Sequence, residues 1–179
     1  MKNVCSHPVF RAILCSLLVF SGPALRAQLF RNFDNSAVPD NACGSNELEI
    51  PTEVSGVGKL NLAEDKGVVV IFNMTYTYVG DIKISLESPA GTRVLLFNRH
   101  GGGGDNFQVT YFAYWDNLDP ISAGTAPFYY YFNPDESLTA FDGEIAEGTW
   151  KVIVCDAASG DVGTMGTVSL VFNNTGYFK

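Results

Sequence analysis

Between Phe97 and Phe107 the chain reads FNRHGGGGDNF, a histidine followed directly by four glycines. Two chemistries use such a stretch. A His-Gly-Gly-Gly loop can turn backbone N–H groups toward a developing oxyanion in acyl transfer. A glycine-rich turn can instead cradle a phosphate. The first needs a nucleophilic serine in Gly-x-Ser-x-Gly on a strand-to-helix turn, and no serine here has that setting. Gly163-Thr164-Met165-Gly166 only echoes the motif, without the serine. The phosphate reading fails at Gly56-Val57-Gly58-Lys59-Leu60, where Glu53 replaces the first glycine and Leu60 the Ser/Thr. The glycine stretch therefore reads as a loop.

Acidic turns are the next candidates. Asp81, Asp105, Asp142, Glu144, Asp156 and Asp161 all fall at turns or strand ends. Ca²⁺ prefers six to eight oxygen ligands, and turns offer both carboxylates and backbone carbonyls. Asp156 and Asp161 flank the short Ala157-Ala158-Ser159-Gly160 turn and form the leading pair, joined by Asp142 and Glu144 if the fold brings them near. No EF-hand spacing is present, and turn aspartates also serve as caps for their own backbone. The run Phe128-Tyr129-Tyr130-Tyr131-Phe132 offers aromatic faces for a sugar or a partner protein. Strand alternation would bury every second ring and leave Tyr129 and Tyr131 on one face. Asn73 and Asn173 begin glycosylation sequons, which matter only in a host that glycosylates exported proteins.

The ends of the chain set the compartment. Lys2 and Arg11 precede an apolar run from Ala12 to Phe20, Ser21-Gly22-Pro23 breaks it, and Ala27 offers a small residue at a cut before Gln28. Residues 1–27 thus read as a signal peptide, its apolar run too short to span a bilayer, which predicts a secreted or periplasmic protein. Cleavage leaves 28–179 as one domain. It removes three of the 11 basic residues and none of the 19 acidic ones, so the formal charge moves from −8 to −11. That balance disfavours nucleic acid and anionic membranes and suits cations or basic protein partners. Cys5 and Cys15 leave with the signal, so Cys43 and Cys155 remain as a candidate disulfide, two unpaired thiols being the alternative.

Period-two alternation runs through the rest. Phe72, Met74, Tyr76 and Tyr78 oppose Asn73, Thr75 and Thr77, and Ile82, Ile84 and Leu86 oppose Lys83, Ser85 and Glu87. Ser88-Pro89-Ala90-Gly91 suits a type I turn into a strand over Arg93 to Phe97. Trp150, Val152 and Val154 alternate again, as do Val168, Leu170 and Phe172. Leu48 to Ile50, Lys59 to Leu62 and Asn106 to Phe112 complete the set. About eight short, mostly antiparallel strands with glycine-rich turns predict an all-β sandwich or jelly roll.

Three segments together resemble a known family. TYVGDIKISLESPAGTRVLLFNR (Thr77 to Arg99), GGGGDNF, and FDGE…GTWKVIVCD…GDVGT (Phe141 to Thr164) are similar to the P domain, or P/Homo B domain. That domain follows the catalytic domain in kexin- and furin-like proprotein convertases and in many bacterial subtilisin-like proteases. The likeness covers 38–172 and implies a jelly-roll-type β-sandwich with a non-catalytic role, packed on and stabilising a serine protease domain. It also implies calcium as a candidate cofactor, and it makes the 101–104 region a connection between strands. Val168 stands where the family usually has tryptophan, which alters local packing. No protease domain is expected in this chain. Three functions follow: a secreted module that binds or stabilises another extracellular protein, such as a protease or surface protein; the C-terminal part of a serine endopeptidase; and a free-standing hydrolase using His100. The first is the reading the residues favour, since the hydrolase lacks a serine in context.

Overall fold

The computed structural model describes residues 27–64 and 67–172. The signal segment, apart from Ala27, lies outside them, as do Cys5, Cys15 and the Asn173 sequon. Nine strands form: β1 Gln28–Phe33, β2 Leu48–Val54, β3 Val68–Tyr76, β4 Ile82–Glu87, β5 Arg93–Asn98, β6 Phe107–Phe112, β7 Phe128–Phe132, β8 Gly148–Asp156 and β9 Gly163–Phe172. They build two sheets, one ordered β1-β9-β3-β6-β7 and the other β2-β8-β4-β5. Every pairing is antiparallel except β6 with β7. The result is the expected β-sandwich.

Alternation decides which residues meet between the sheets. In β2, Ile50, Thr52 and Val54 are buried while Glu49, Pro51 and Glu53 are exposed. Phe72, Met74 and Tyr76 of β3 face inward as their spacing predicts. The inward rings touch edge to face or offset: Phe97 lies 4.8 Å from Phe107 and 5.1 Å from Phe128, and Trp150 lies 5.0 Å from Phe141 and 5.4 Å from Phe172. These geometries suit the aromatic quadrupole. Trp150 is fully buried, and its Nε1–H donates to the Ala146 carbonyl at 2.8 Å, so its one polar atom is satisfied. Val168 is also fully buried within this core.

One expected strand needs correction, and one observed strand was not expected. Lys59–Leu62 is not a strand: it makes an isolated bridge from Lys59 to Ile145 and then enters a short 3-10 helix at Leu62–Glu64. β1, by contrast, carries no strong signal of its own, because Phe30 turns toward the core while Leu29 and Phe33 stay exposed. It forms by pairing residue for residue with β9, from Gln28 opposite Phe172 to Phe33 opposite Thr167.

Cys43 and Cys155 are joined in a disulfide, with Cα atoms 4.9 Å apart and a sequence separation of 112. The bridge fastens the loop before β2 to the end of β8. Beside it, the backbone N–H groups of Ala42 and Cys43 both donate to the Asp156 carbonyl, at 2.9 and 3.2 Å. Among the described residues no helix is long and apolar enough to cross a membrane.

Candidate functional site

The glycine stretch turns tightly against the 3-10 turn Val79–Asp81. Val79 N–H donates to the Gly104 carbonyl and Gly80 N–H to the Gly102 carbonyl, each at 2.9 Å. The approach leaves no room for a side chain at Gly101 or Gly104. A Cβ on Gly104 would fall 2.6 Å from the Ala126 Cβ, and one on Gly101, at φ +80°, 2.9 Å from Val79 Cγ2. Packing thus requires glycine at these two positions. The N–H of Gly104 is itself used within the loop, donating to Gly101 O at 3.1 Å.

His100 next to it points at Asp135, its Nε2 2.7 and 2.8 Å from the two carboxylate oxygens. Its ring stands edge-on to Phe97 at 5.4 Å. Asp135 and Glu136 in turn donate backbone N–H groups to Leu96 and Leu95 of β5. The pair therefore pins the 134–147 connection along the edge of the smaller sheet. Asp135 carries no signal in the sequence, because it reaches His100 only through this edge pairing.

The acidic end lies where β3 and β8 finish, at Tyr76 and Asp156. Asp156 is fully buried: its Oδ2 accepts from the Tyr76 hydroxyl at 2.6 Å and its Oδ1 from Ala158 N–H at 3.0 Å. Asp161 Oδ1 accepts from Thr77 Oγ1 at 2.8 Å, and Asp40 Oδ1 accepts from Gly160 N–H at 3.1 Å. Burial, the bond to Asp156 and the charges of Asp156, Asp161 and Asp40 push the Tyr76 phenol well above its usual pKa. Tyr76 was legible only as a core residue; its role as the donor to Asp156 comes from contact across 80 residues.

The four acidic candidates do not converge. Asp156 closes β8, whereas Asp142 and Glu144 precede its first residue, so a nine-residue strand separates the pairs. Asp142 Oδ1 accepts from Leu62 N–H at 2.8 Å, and Glu144 accepts from the Thr92 hydroxyl. Their joining Asp156 and Asp161 around one ion is therefore corrected by the fold. Each Asp156 oxygen already accepts one hydrogen bond, from the Tyr76 hydroxyl and from Ala158 N–H. Among the described residues no group of three His, Cys, Asp or Glu is arranged to hold a metal.

The aromatic run also departs from simple alternation. Phe128 is fully buried, but Tyr129 and Tyr130 are both exposed, at 43% and 59%, with ring centroids 3.7 Å apart. Tyr130 has φ +75°, and the β6–β7 register shifts between Phe107 and Thr110. That left-handed residue turns two successive rings outward on an edge strand. Tyr131 is half-buried and stacks on Tyr111 at 4.3 Å, on the outer face of the larger sheet. There a second apolar cluster of Val69, Ala113 and Val171 is covered by Trp115 and Leu118 from the loop after β6. Leu29 and Phe33, 48% and 75% exposed, extend that face along β1. Asn73 lies on β3, its Oδ1 accepting from Thr167 N–H at 3.1 Å.

Comparison with known proteins gives this surface its context. The chain is 30% identical over 130 residues to a calcium-dependent protease of Trichormus variabilis, covering 68% of this chain and 17% of that protein. It is 30% identical over 150 residues to leupeptin-inactivating enzyme 1 of Streptomyces exfoliatus, covering 84% of this chain and 27% of the other. It thus spans well under a third of the length of these relatives. In fold it is similar to a chain of the Aeromonas sobria serine protease and chaperone complex, with a TM-score of 0.51, 19% identity, and coverage of 82% of this chain and 27% of that one. Residues 66–172 match the family described as Proprotein convertase P-domain, so the chain belongs to the P-domain family, a protease-associated β-sandwich.

Proposed function

We propose that this chain is an exported, non-catalytic P-domain module that binds or stabilises another extracellular protein, with a subtilisin- or kexin-like serine protease as the partner class. The observation that carries the reading is the exposed apolar border of the larger sheet. Phe33 and Leu29 on β1 and Tyr129 and Tyr130 on β7 remain exposed, whereas Phe72, Phe97, Phe107, Phe112, Phe128, Phe141, Trp150 and Phe172 are all buried. The two pairs stand at opposite edges of that sheet, and large exposed apolar side chains at a sheet edge offer a partner protein surface to bury. Membership in a family whose relatives are named as proteases supplies the partner class. Export by residues 1–27, followed by a single domain over 28–179, belongs to the same proposal.

Affinity capture from the secreted fraction tests it, run in parallel with wild type and with Phe33→Asp plus Tyr130→Asp. A serine protease enriched by wild type and lost with the double variant is the expected result. Equal recovery by both would remove the surface from the argument. The purified protein should cleave neither casein nor short-chain esters, and turnover abolished by His100→Ala would overturn the non-catalytic reading.

The relatives favour one second reading. They carry this domain as a minor part of protease chains, so proteolysis would then belong to a longer polypeptide of which this sequence is the C-terminal part. Calcium is the proposed ligand of the acidic end, supported by relatives named calcium-dependent proteases. Asp161 and Asp40, each with one oxygen in a described hydrogen bond, are the side chains that would carry it.

A further inference from the structure

The loop after β6 does more than cover the second apolar cluster. Together with the 3-10 segments Leu62–Glu64 and Leu138–Phe141 it walls a cleft of about 780 Å³, lined among others by Tyr114, Trp115, Tyr131, Asp116, Asn117 and Asp142. We propose that this cleft is a binding site for a neutral oligosaccharide.

Three observations favour that ligand. The first is the pairing of ring faces with hydroxyl partners. Trp115 lies 5.4 Å from Tyr131, which is stacked on Tyr111, and Tyr114 is 43% exposed at the rim. Such rings take the C–H face of a pyranose, while the exposed Asp116 and Asn117 supply acceptors and donors for its hydroxyls. The second is charge. Among the described residues the lining includes Asp116 and Asp142 and no lysine, arginine or histidine, which disfavours phosphate, sulfate or carboxylate ligands. The third is size. A cleft of this volume falls in the range that takes multi-ring ligands, and a single ammonium group would leave most of it to water.

The walls are also fixed in advance. Asn133 clamps the loop through its side chain: Oδ1 accepts from Trp115 N–H at 3.2 Å, and Nδ2 donates to the carbonyls of Trp115 and Leu118 at 3.0 and 3.1 Å. Its backbone bonds the same loop, accepting from Ile121 N–H and donating to Asp119 O, both at 2.9 Å. On the far wall, Asp142 holds Leu62 N–H. A preorganised site spends less of its binding free energy on ordering. This site is independent of the protein partner proposed above, since neither Phe33 nor Tyr130 lines it.

Calorimetric titration of the exported protein with cellopentaose, xylopentaose, laminaripentaose, mannopentaose and chitopentaose tests the proposal. Tryptophan emission is read in parallel, because Trp150 is fully buried and Trp115 is the tryptophan able to report. At least one pentasaccharide should bind saturably and shift the emission. Trp115→Ala should abolish binding. Because that change also uncovers the apolar cluster, the surface variant Asp116→Ala with Asn117→Ala provides the second arm. It should weaken binding about tenfold or more, with an unchanged melting midpoint. No saturable binding of any pentasaccharide at millimolar concentration would overturn the site. So would undiminished binding by the surface variant, or saturable binding of a lysine-rich peptide but of no sugar.

Discussion

The chain's two tryptophans lie on opposite sides of the larger sheet. Trp150 stands in the seam between the sheets, ringed by Phe141 and Phe172, with its N–H given to Ala146. Trp115 lies outside, half-buried against Tyr131 on a loop that covers Val69, Ala113 and Val171. Inside, both sheets contribute rings, and most of them are fully covered. Outside, one loop protects part of the face, and Leu29 and Phe33 remain exposed. Two sheets can bury only the faces they turn toward each other, so apolar residues on an outer face need a loop, a ligand or another protein.

The largest expected effect tests what closes the interior. Replacing Cys43 and Cys155 by serine releases a loop of over a hundred residues, and chain entropy predicts a loss of about 4–5 kcal/mol in urea unfolding. A loss below about 1 kcal/mol would mean that Asp156 and its neighbours hold that corner unaided. Next, Trp150→Ala should cost about 3–5 kcal/mol through the cavity it leaves. Trp115→Ala should cost clearly less, since its ring is only partly buried. Equal costs would erase the contrast between the faces.

Tyr76→Phe comes third. It strips the O–H donor from a buried carboxylate oxygen and should cost about 1.5–3 kcal/mol. It also carries a pH signature. The folded chain keeps the Tyr76 proton where an unfolded tyrosine loses it, so this contribution is complete below about pH 10 and declines as the pH rises further. Melting curves above pH 10 should fall less steeply for Tyr76→Phe than for wild type. Parallel declines would place the phenol's proton elsewhere.

Calcium is expected to act more weakly. Ten times its dissociation constant would add about 1.4 kcal/mol to the folded state, read as a higher melting midpoint than in EDTA and lost with Asp161→Asn. Equal midpoints would leave the aspartates as turn formers. The smallest effect belongs to the outer face: Phe33→Ser should alter stability by less than about 0.5 kcal/mol, while weakening capture of the partner.

Much of the sandwich was legible in the sequence because its strands are half-wet. Ile82, Ile84 and Leu86 alternate with Lys83 and Glu87, and a one-residue slip would expose the whole apolar set. Where a strand lacks that contrast, the reading weakened. Lys59–Leu62 has apolar and polar residues at strand spacing but finds only a bridge to Ile145. Tyr129 and Tyr130 defeat alternation through a positive φ that no tyrosine advertises. The candidate site was less legible. Asp156 was visible as an acid at a turn, but nothing near it in sequence indicates that Tyr76 would take up its oxygen.

The sequence by itself determined the β-class, the inward rows of β3, β4 and β8, and the P-domain likeness, because these depend on period, turn chemistry and local motif. It also marked Cys43 and Cys155 as the candidate pair. Tertiary structure alone decided that the two cysteines meet, that Asp142 and Glu144 lie a strand's length from Asp156, and that His100 faces Asp135. It also decided that Trp115 and Tyr131 share one cleft. Each of these joins residues distant along the chain, and sheet order, not local pattern, sets which of them become neighbours.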